Sequence, residues 1–274
     1  MTVSNKKNTT SRYHLYDSTG KEVELEKSEG EKEIRVLVED QLTFSRHIQQ
    51  LANKANSIMG PIRRTYAYLD EQSFKYLFQA LVRPHLEYAE AAWSPSKVGD
   101  IDVIENDQRR ATQQIPSLKN LEYTDRLKKL KMPTLKYRHL RGDMIETFKI
   151  INGIYDRDVT EGLFDLDQDT RTRGNHKKMK KKYSKLNIRK FSFTNRIVDI
   201  WNSLPNEVIT AKTVNNFEIN LDKYWEAQEF KYDHTANINL TSKPGSDVKT
   251  RSSIVEEEVD IVVSASQRPQ SNLT

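Results

Sequence analysis

Phe44, Ile48, Leu51, Ala55, Ile58 and Ile62 recur at steps of 4, 3, 4, 3 and 4 residues. Only an α-helix turns such a series onto one face, so this stretch must be a helix with an apolar stripe that another element covers. The same period returns in Phe74, Leu77, Phe78 and Leu81, behind an Asp70 N-cap with Glu71 in the first turn. It returns again in Ile101, Ile104, Gln108, Ala111 and Ile115, which Asp100 can cap and which carries Arg109 and Arg110 towards its cation-favouring end. Further on, Thr134 caps a helix bearing Leu135, Leu140, Met144 or Ile145, Phe148 and Ile151, with Gly153 suited to the C′ position. A short helix starts at Thr124 or Asp125, another stripe runs Phe193, Ile197, Ile200, Trp201 and Leu204, and Thr213 caps a last helix with Val214, Phe217, Leu221 and Trp225. Gly60-Pro61, Pro84, Pro116, Pro133 and Pro205 punctuate the series, and each proline is expected to kink or stop its helix.

The β signal is confined to the start of the chain. Tyr13 to Glu26 reads as a hairpin turning through Asp17-Ser18-Thr19-Gly20, and Glu33 to Glu39 reads as a single strand with Ile34, Val36 and Val38 on one side. The expected fold is mainly α: a small N-terminal β element over 1–42, a helical bundle over 43–115, a second helical region over 116–228, and a disordered polar tail over 229–274. Trp93, Trp201 and Trp225 have apolar surroundings that suit core anchors.

Charge is distributed unevenly along the chain. The net charge of +5 and pI near 9.1 lean towards an anionic partner. Residues 155–169 are acidic, whereas half of Arg171 to Lys190 is Lys or Arg and none of it is acidic. Such a block repels itself and is expected as a loop or extended arm. Lys177, Lys178, Lys180, Lys181, Lys182 and Lys185 are dense enough to follow a phosphate backbone, and Arg171 and Arg173 can fork onto phosphates. Arg63 and Arg64, beside Tyr66 and Tyr68, could add a second contact. The alternatives for the Lys run are a solvated loop or a nuclear-localisation signal.

Several chemistries find no support. The chain has no cysteine, so disulfides and thiolate metal sites are excluded. Its histidines form no i, i+4 pair, and His47 and His85 beside apolar stripes suit structural roles. Asp165 to Asp169 begins like a calcium loop, but Thr170 and His176 stand where the turn glycine and the bidentate Glu belong. There is no Gly-rich phosphate loop or nucleophile elbow, no apolar run long enough to span a membrane, and a polar start unlike a signal peptide. The expectation is an intracellular protein, nuclear or cytoplasmic.

Leu81 to Ala89 (LVRPHLEYA), followed by Ala92-Trp93-Ser94-Pro95, closely resembles the region after the polymerase palm in non-LTR retrotransposon reverse transcriptases of the jockey and chicken-repeat kind. Further segments agree in order. Glu31 to Ile48 resembles a stretch that follows the palm, Ile101 to Ala111 an "IE.VQRRAT" helix, and Leu130 to Asp143 an "L..L.LPSLE.RR.RGDL" run. Asn187 to Pro205 resembles a "WNSLP" block, and Asn215 to Trp225 an "F...LD..W" end. The resemblance covers roughly residues 10–226. It implies a primer-grip strand, a thumb of helices and a C-terminal extension, which bind template and primer as RNA, DNA or an RNA–DNA hybrid. It departs at Ile34-Arg35-Val36, where the family usually has Leu-Gly-Val, since Arg35 cannot give glycine's close backbone approach.

Polymerisation in that family needs adjacent aspartates and a third upstream to hold two Mg²⁺ ions. This sequence has no Asp-Asp pair. The resemblance places that turn in a palm before Met1, so the expectation is a catalytically incomplete fragment with no cofactor of its own. Mg²⁺ would belong to the palm, which a longer reading frame could supply. A helical protein-interaction module is the alternative.

Overall fold

A computed structural model describes residues 12–25, 28–66, 68–167 and 175–240. Two short antiparallel ribbons come first: β1 (His14–Tyr16) with β2 (Glu22–Glu24), and β3 (Gly30–Glu33) with β4 (Val36–Glu39). Helices follow: α1 (Ser45–Thr65), α2 (Glu71–Leu77), a π-helical turn (Phe78–Val82), α3 (Arg83–Glu87), α4 (Glu90–Trp93) and α5 (Val98–Thr112). After a 3₁₀ turn (Pro116–Leu118) come α6 (Tyr123–Leu130), α7 (Leu135–Ile151) and the single turn α8 (Arg157–Thr160). The last elements are α9 (Asn187–Lys190), α10 (Phe193–Arg196), α11 (Val198–Ser203), α12 (Asn206–Ile209), α13 (Val214–Tyr224) and a 3₁₀ turn (Glu229–Lys231). The fold is mainly α with a small N-terminal β element, as expected from the periodicities.

Two hydrophobic clusters make up the interior. One gathers α1 to α6 with Val36 of β4, and the other gathers α7 with α10 to α13. The first includes Leu135 and the second begins at Tyr137, so α7 contributes to both clusters. Opposite faces of one helix serve the two clusters, and the described residues form one compact unit.

The stripe on α1 has the expected period but is rotated by one position. Ile48, Ala52, Ala55, Met59 and Ile62 are buried, while Leu51 and Ile58 are half-buried at its edge. Gly60-Pro61 does not interrupt this helix, which continues to Thr65. Proline disfavours helix at the preceding residue partly by clashing with its Cβ, and Gly60 has none. Pro84 does not stop the chain either. In the π-helical turn ahead of it, the Arg83 N–H donates to the Phe78 carbonyl, five residues back. This wider turn accommodates a proline ring that would otherwise meet a carbonyl of the previous turn. The helix ends instead at Tyr88, which is extended, and Ala89 at φ 53°. Trp93 then locks the corner: its indole N–H donates to the Tyr88 carbonyl at 2.7 Å, and the rings of His47 and His139 meet it edge-on at 5.4 and 5.3 Å.

Other expectations are also revised. Glu33 to Glu39 is not one strand, because Ile34 and Arg35, at φ 44° and 68°, form the two-residue turn between β3 and β4. Such turns match strand twist but normally carry Asn-Gly, so the residue types conceal it. Asp100 does not cap α5, which begins at Val98; it accepts a hydrogen bond from the Ser45 hydroxyl at 2.9 Å. The polar tail does not begin at 229. Phe230 is fully buried against Tyr137 and Trp225, and Thr134 bonds the Phe230 and Lys231 carbonyls through its hydroxyl and N–H, both at 2.9 Å. Residues 241–274 lie outside the described residues. The caps at Asp70, Thr134 and Thr213 do hold their helices, and Gly153 takes the expected left-handed conformation at φ 66°.

Candidate nucleic-acid interface

The described part of the Lys-rich stretch runs across α11. Met179 is buried in the second cluster, and its N–H and carbonyl both bond the Asn202 amide at 2.9 Å. The Trp201 indole donates to the Lys177 carbonyl at 2.8 Å, and buried Asn175 donates to the Trp201 carbonyl at 3.0 Å. A β-bridge pairs Leu166 with Met179, with the Lys180 N–H donating to the Asp165 carbonyl at 2.8 Å. Residues 175–180 are therefore anchored main chain rather than a free arm. A single apolar side chain, Met179, with Asn202 bonded to its backbone and Trp201 bonded to that of Lys177, outweighs the mutual repulsion of the flanking lysines.

Anchoring sorts the cations. Lys177 donates to the Asn152 side chain at 2.7 Å, Lys181 pairs with Asp199, and Lys182 pairs with Asp165 at 3.0 Å. Lys178 is half-buried and also has an interaction partner. Lys180, Lys185, Arg189 and Lys190 are exposed and have no carboxylate within 4 Å among the described residues. Arg189 and Lys190 extend the charged surface beyond the expected set, onto α9. Among these cations Tyr183 is 88% exposed, and the Lys190 ammonium lies 5.5 Å from the Phe191 ring. Exposed aromatic faces beside cations suit base stacking. The run Lys180 to Lys185, with one tyrosine among lysines, carried that signal in the sequence. Arg171 and Arg173 lie outside the described residues.

Arg63 and Arg64 are exposed on the last turn of α1, next to Tyr66 at 46% exposure and Tyr68 at 93%. Those tyrosines are not core. The pair stands on a helix of the first cluster, whereas the Lys-rich stretch lies on the second.

The charges that the resembling motifs bring onto α7 are architecture. On α7, Arg138 forks onto Glu87 of α3, and Arg141 onto Asp222 of α13 at 2.7 and 2.9 Å, while Asp143 receives Arg196 of α10 at 3.0 and 2.8 Å. Each pair fastens α7 to a different helix. Between them Gly142 leaves room for the Glu90 side chain, since a Cβ there would lie 1.5 Å from its Oε1. Burial, then the neighbouring Glu87, raises the Glu90 carboxyl to about 9, so it is neutral at pH 7. His139, fully enclosed beside it, is lowered to about 4 mainly by burial. The His47 Nδ1 accepts the Leu37 N–H at 3.2 Å and ties β4 to α1, a structural role as expected.

No group of three or more metal-ligating side chains occurs among the described residues, and none of their helices is long and apolar enough to cross a membrane. Comparison with protein-family models, curated proteins and solved structures finds no match to the chain.

Proposed function

We propose that this chain is a nucleic-acid-binding, catalytically incomplete portion of a retroelement RNA-directed DNA polymerase, of the non-LTR reverse transcriptase kind. The observation that carries this reading is the surface of Lys180, Lys185, Arg189 and Lys190, unneutralised and flanked by exposed Tyr183. Cations that find no internal partner are available to phosphates, and each contact adds salt-dependent affinity without sequence preference. The order of motifs from Glu31 to Trp225 supports the assignment to that polymerase class. In this reading α1 to α5 are thumb elements, and template or primer is the ligand, as RNA, DNA or a hybrid.

A second reading, a protein-interaction module, draws on β1 and β2. Leu15 pairs with Val23, both exposed, and Tyr13 and Leu25 extend the same uncovered face. A partner sheet, including a palm supplied by a longer reading frame, could cover it. Both readings can hold together.

The test is binding of a labelled RNA–DNA hybrid at low and moderate salt. Deleting residues 171–190 would remove the Met179 anchor, so charge reversal is the cleaner change. Lys180→Glu, Lys185→Glu and Arg189→Glu together should weaken binding. They should also make the logarithmic salt dependence shallower by about 0.9 per lost duplex phosphate contact. Absence of binding by the parent chain, or indifference to all three changes, refutes the nucleic-acid reading.

A further inference from the structure

A polar pocket of about 440 Å³ opens between the end of α5, the turn before α6 and the packed segment after α13. Arg126 on its wall is 4% exposed. Its two terminal nitrogens donate to the carbonyls of Leu121 at 3.2 Å and Arg109 at 3.3 Å, while its buried Nε has no partner. The Arg109 guanidinium is bonded to Asn106 at 2.6 Å and lies 3.3 Å from the His234 Nε2. Both guanidiniums lie against the Tyr123 ring, at 5.1 and 5.7 Å from its centre. Neither has a carboxylate within 4 Å among the described residues.

Two like charges are thus held together with neutral groups as their hydrogen-bond partners, while Glu122 acts on Arg126 and Glu105 on Arg109 from beyond ion-pair distance. Their mutual repulsion disfavours the arrangement, and an anion between them would relieve it. Burial, and then Arg109, lower the affinity of His234 for a proton, so that ring adds no third charge at pH 7. The Tyr123 hydroxyl does not answer the arginines, since it donates to buried Glu105 at 2.5 Å. Two acids line the pocket: exposed Glu122, and Asp233, whose carboxylate accepts the Thr235 N–H and hydroxyl at 2.9 and 2.7 Å. A third, Asp102, faces His234 at 3.3 Å. The pocket also takes in the start of α6, an eight-residue helix whose first turn no side chain caps, and exposed Lys119 stands at its rim. Uncapped N–H groups and the positive end of a helix favour an oxyanion.

We propose that this pocket binds a phosphate group, held by Arg109, Arg126, the start of α6 and Lys119. The volume is far larger than a bare halide needs and falls within the range of small-ligand sites. The phosphate is therefore one attached to a larger group, either a phosphorylated small molecule or the terminal phosphate of a nucleic acid. The site stands whether or not the Lys-rich surface binds nucleic acid.

The experiment titrates the full chain with inorganic phosphate and pyrophosphate against chloride at matched ionic strength, following the His234 ring resonances and the melting temperature. A saturable, phosphate-specific shift is expected at millimolar concentration, weakened about tenfold by Lys119→Glu or Arg109→Gln. Lys185→Glu, on the other surface, should leave it unchanged. A 5′-phosphorylated dinucleotide compared with its 5′-hydroxyl form separates the sources. A strong preference for the phosphorylated form assigns a nucleic-acid end, and equal weakness of both beside tight pyrophosphate assigns a small molecule. No saturable shift, or a shift that both pocket substitutions leave intact, overturns the proposal. Lys119 is exposed, so its variant tests the site even if the Arg109 variant folds poorly.

Discussion

Gly142→Ala tests whether α7 is built around the Glu90 carboxyl. Alanine at a helix-interior glycine ordinarily stabilises by about 1 kcal/mol. Here the new methyl would sit 1.5 Å from the Glu90 Oε1 and 2.8 Å from its Cδ, so the acid must be displaced. Forced repacking of this kind costs about 3 kcal/mol at the upper end of the usual range, leaving a net loss of about 2 kcal/mol. Glu90→Ala removes the obstruction. In that background the same Gly142→Ala change should stabilise by about 1 kcal/mol, a reversal of sign and a coupling near 3 kcal/mol. Equilibrium urea unfolding of the four chains at pH 7, with the m-values compared, measures the cycle. A Gly142→Ala effect of the same sign and size in both backgrounds would show that Glu90 is not what the glycine accommodates.

Glu90 also makes stability fall with pH. Its folded pKa of about 9 lies above the unfolded value of 4.5, so its stabilisation is complete below pH 4.5 and is lost as pH rises towards 9. Burial raises Glu105 in the same direction, to about 7, and His139 works oppositely between 6.5 and about 4, so the Glu90 share above pH 7 is the difference between the parent and Glu90→Gln, which keeps both other groups. The slope there should approach about 1.4 kcal/mol per pH unit and flatten in Glu90→Gln, and identical slopes in the two proteins would exclude Glu90 as the cause. Arg35→Gly should stabilise by about 1 kcal/mol by relieving a left-handed arginine at φ 68°, read as a raised urea midpoint at unchanged m-value. Phe230→Ala should cost about 3 kcal/mol, a large-to-small loss at a fully buried ring, whereas a truly unpacked tail would show no change in thermal unfolding.

Much of the local structure was legible. Asp70, Thr134 and Thr213 are found capping their helices because capping depends on one side chain and the next three residues. The signals that failed were those in which a local preference met a distant contact. Pro84 reads as a stop, yet a π-helical turn absorbs it while Phe74, Phe78, Val82 and Leu86 remain buried in one cluster. The segment at 229–240 reads as polar tail, yet Phe230 finds Tyr137 and Trp225. At the candidate interface the density of lysines was plain in the sequence. Which of them would be neutralised was not, because Asp199 and Asp165 are brought to Lys181 and Lys182 only by folding.

Periodicity and capping by themselves determined that this chain is helical and where most of its helices lie, since both act within a few residues along the chain. The residue order alone also carried the resemblance to a polymerase region and the lack of an Asp-Asp pair. Only the tertiary structure decided what the charges do. Arg138, Arg141 and Arg196 form helix-to-helix ion pairs, Lys180 and Lys185 are left facing water, and Arg109 and Arg126 are gathered with no carboxylate within 4 Å among the described residues. The reason is physical: a cation's role depends on the nearest carboxylate in space, and sequence separations of 51 to 81 residues between such partners leave no local trace.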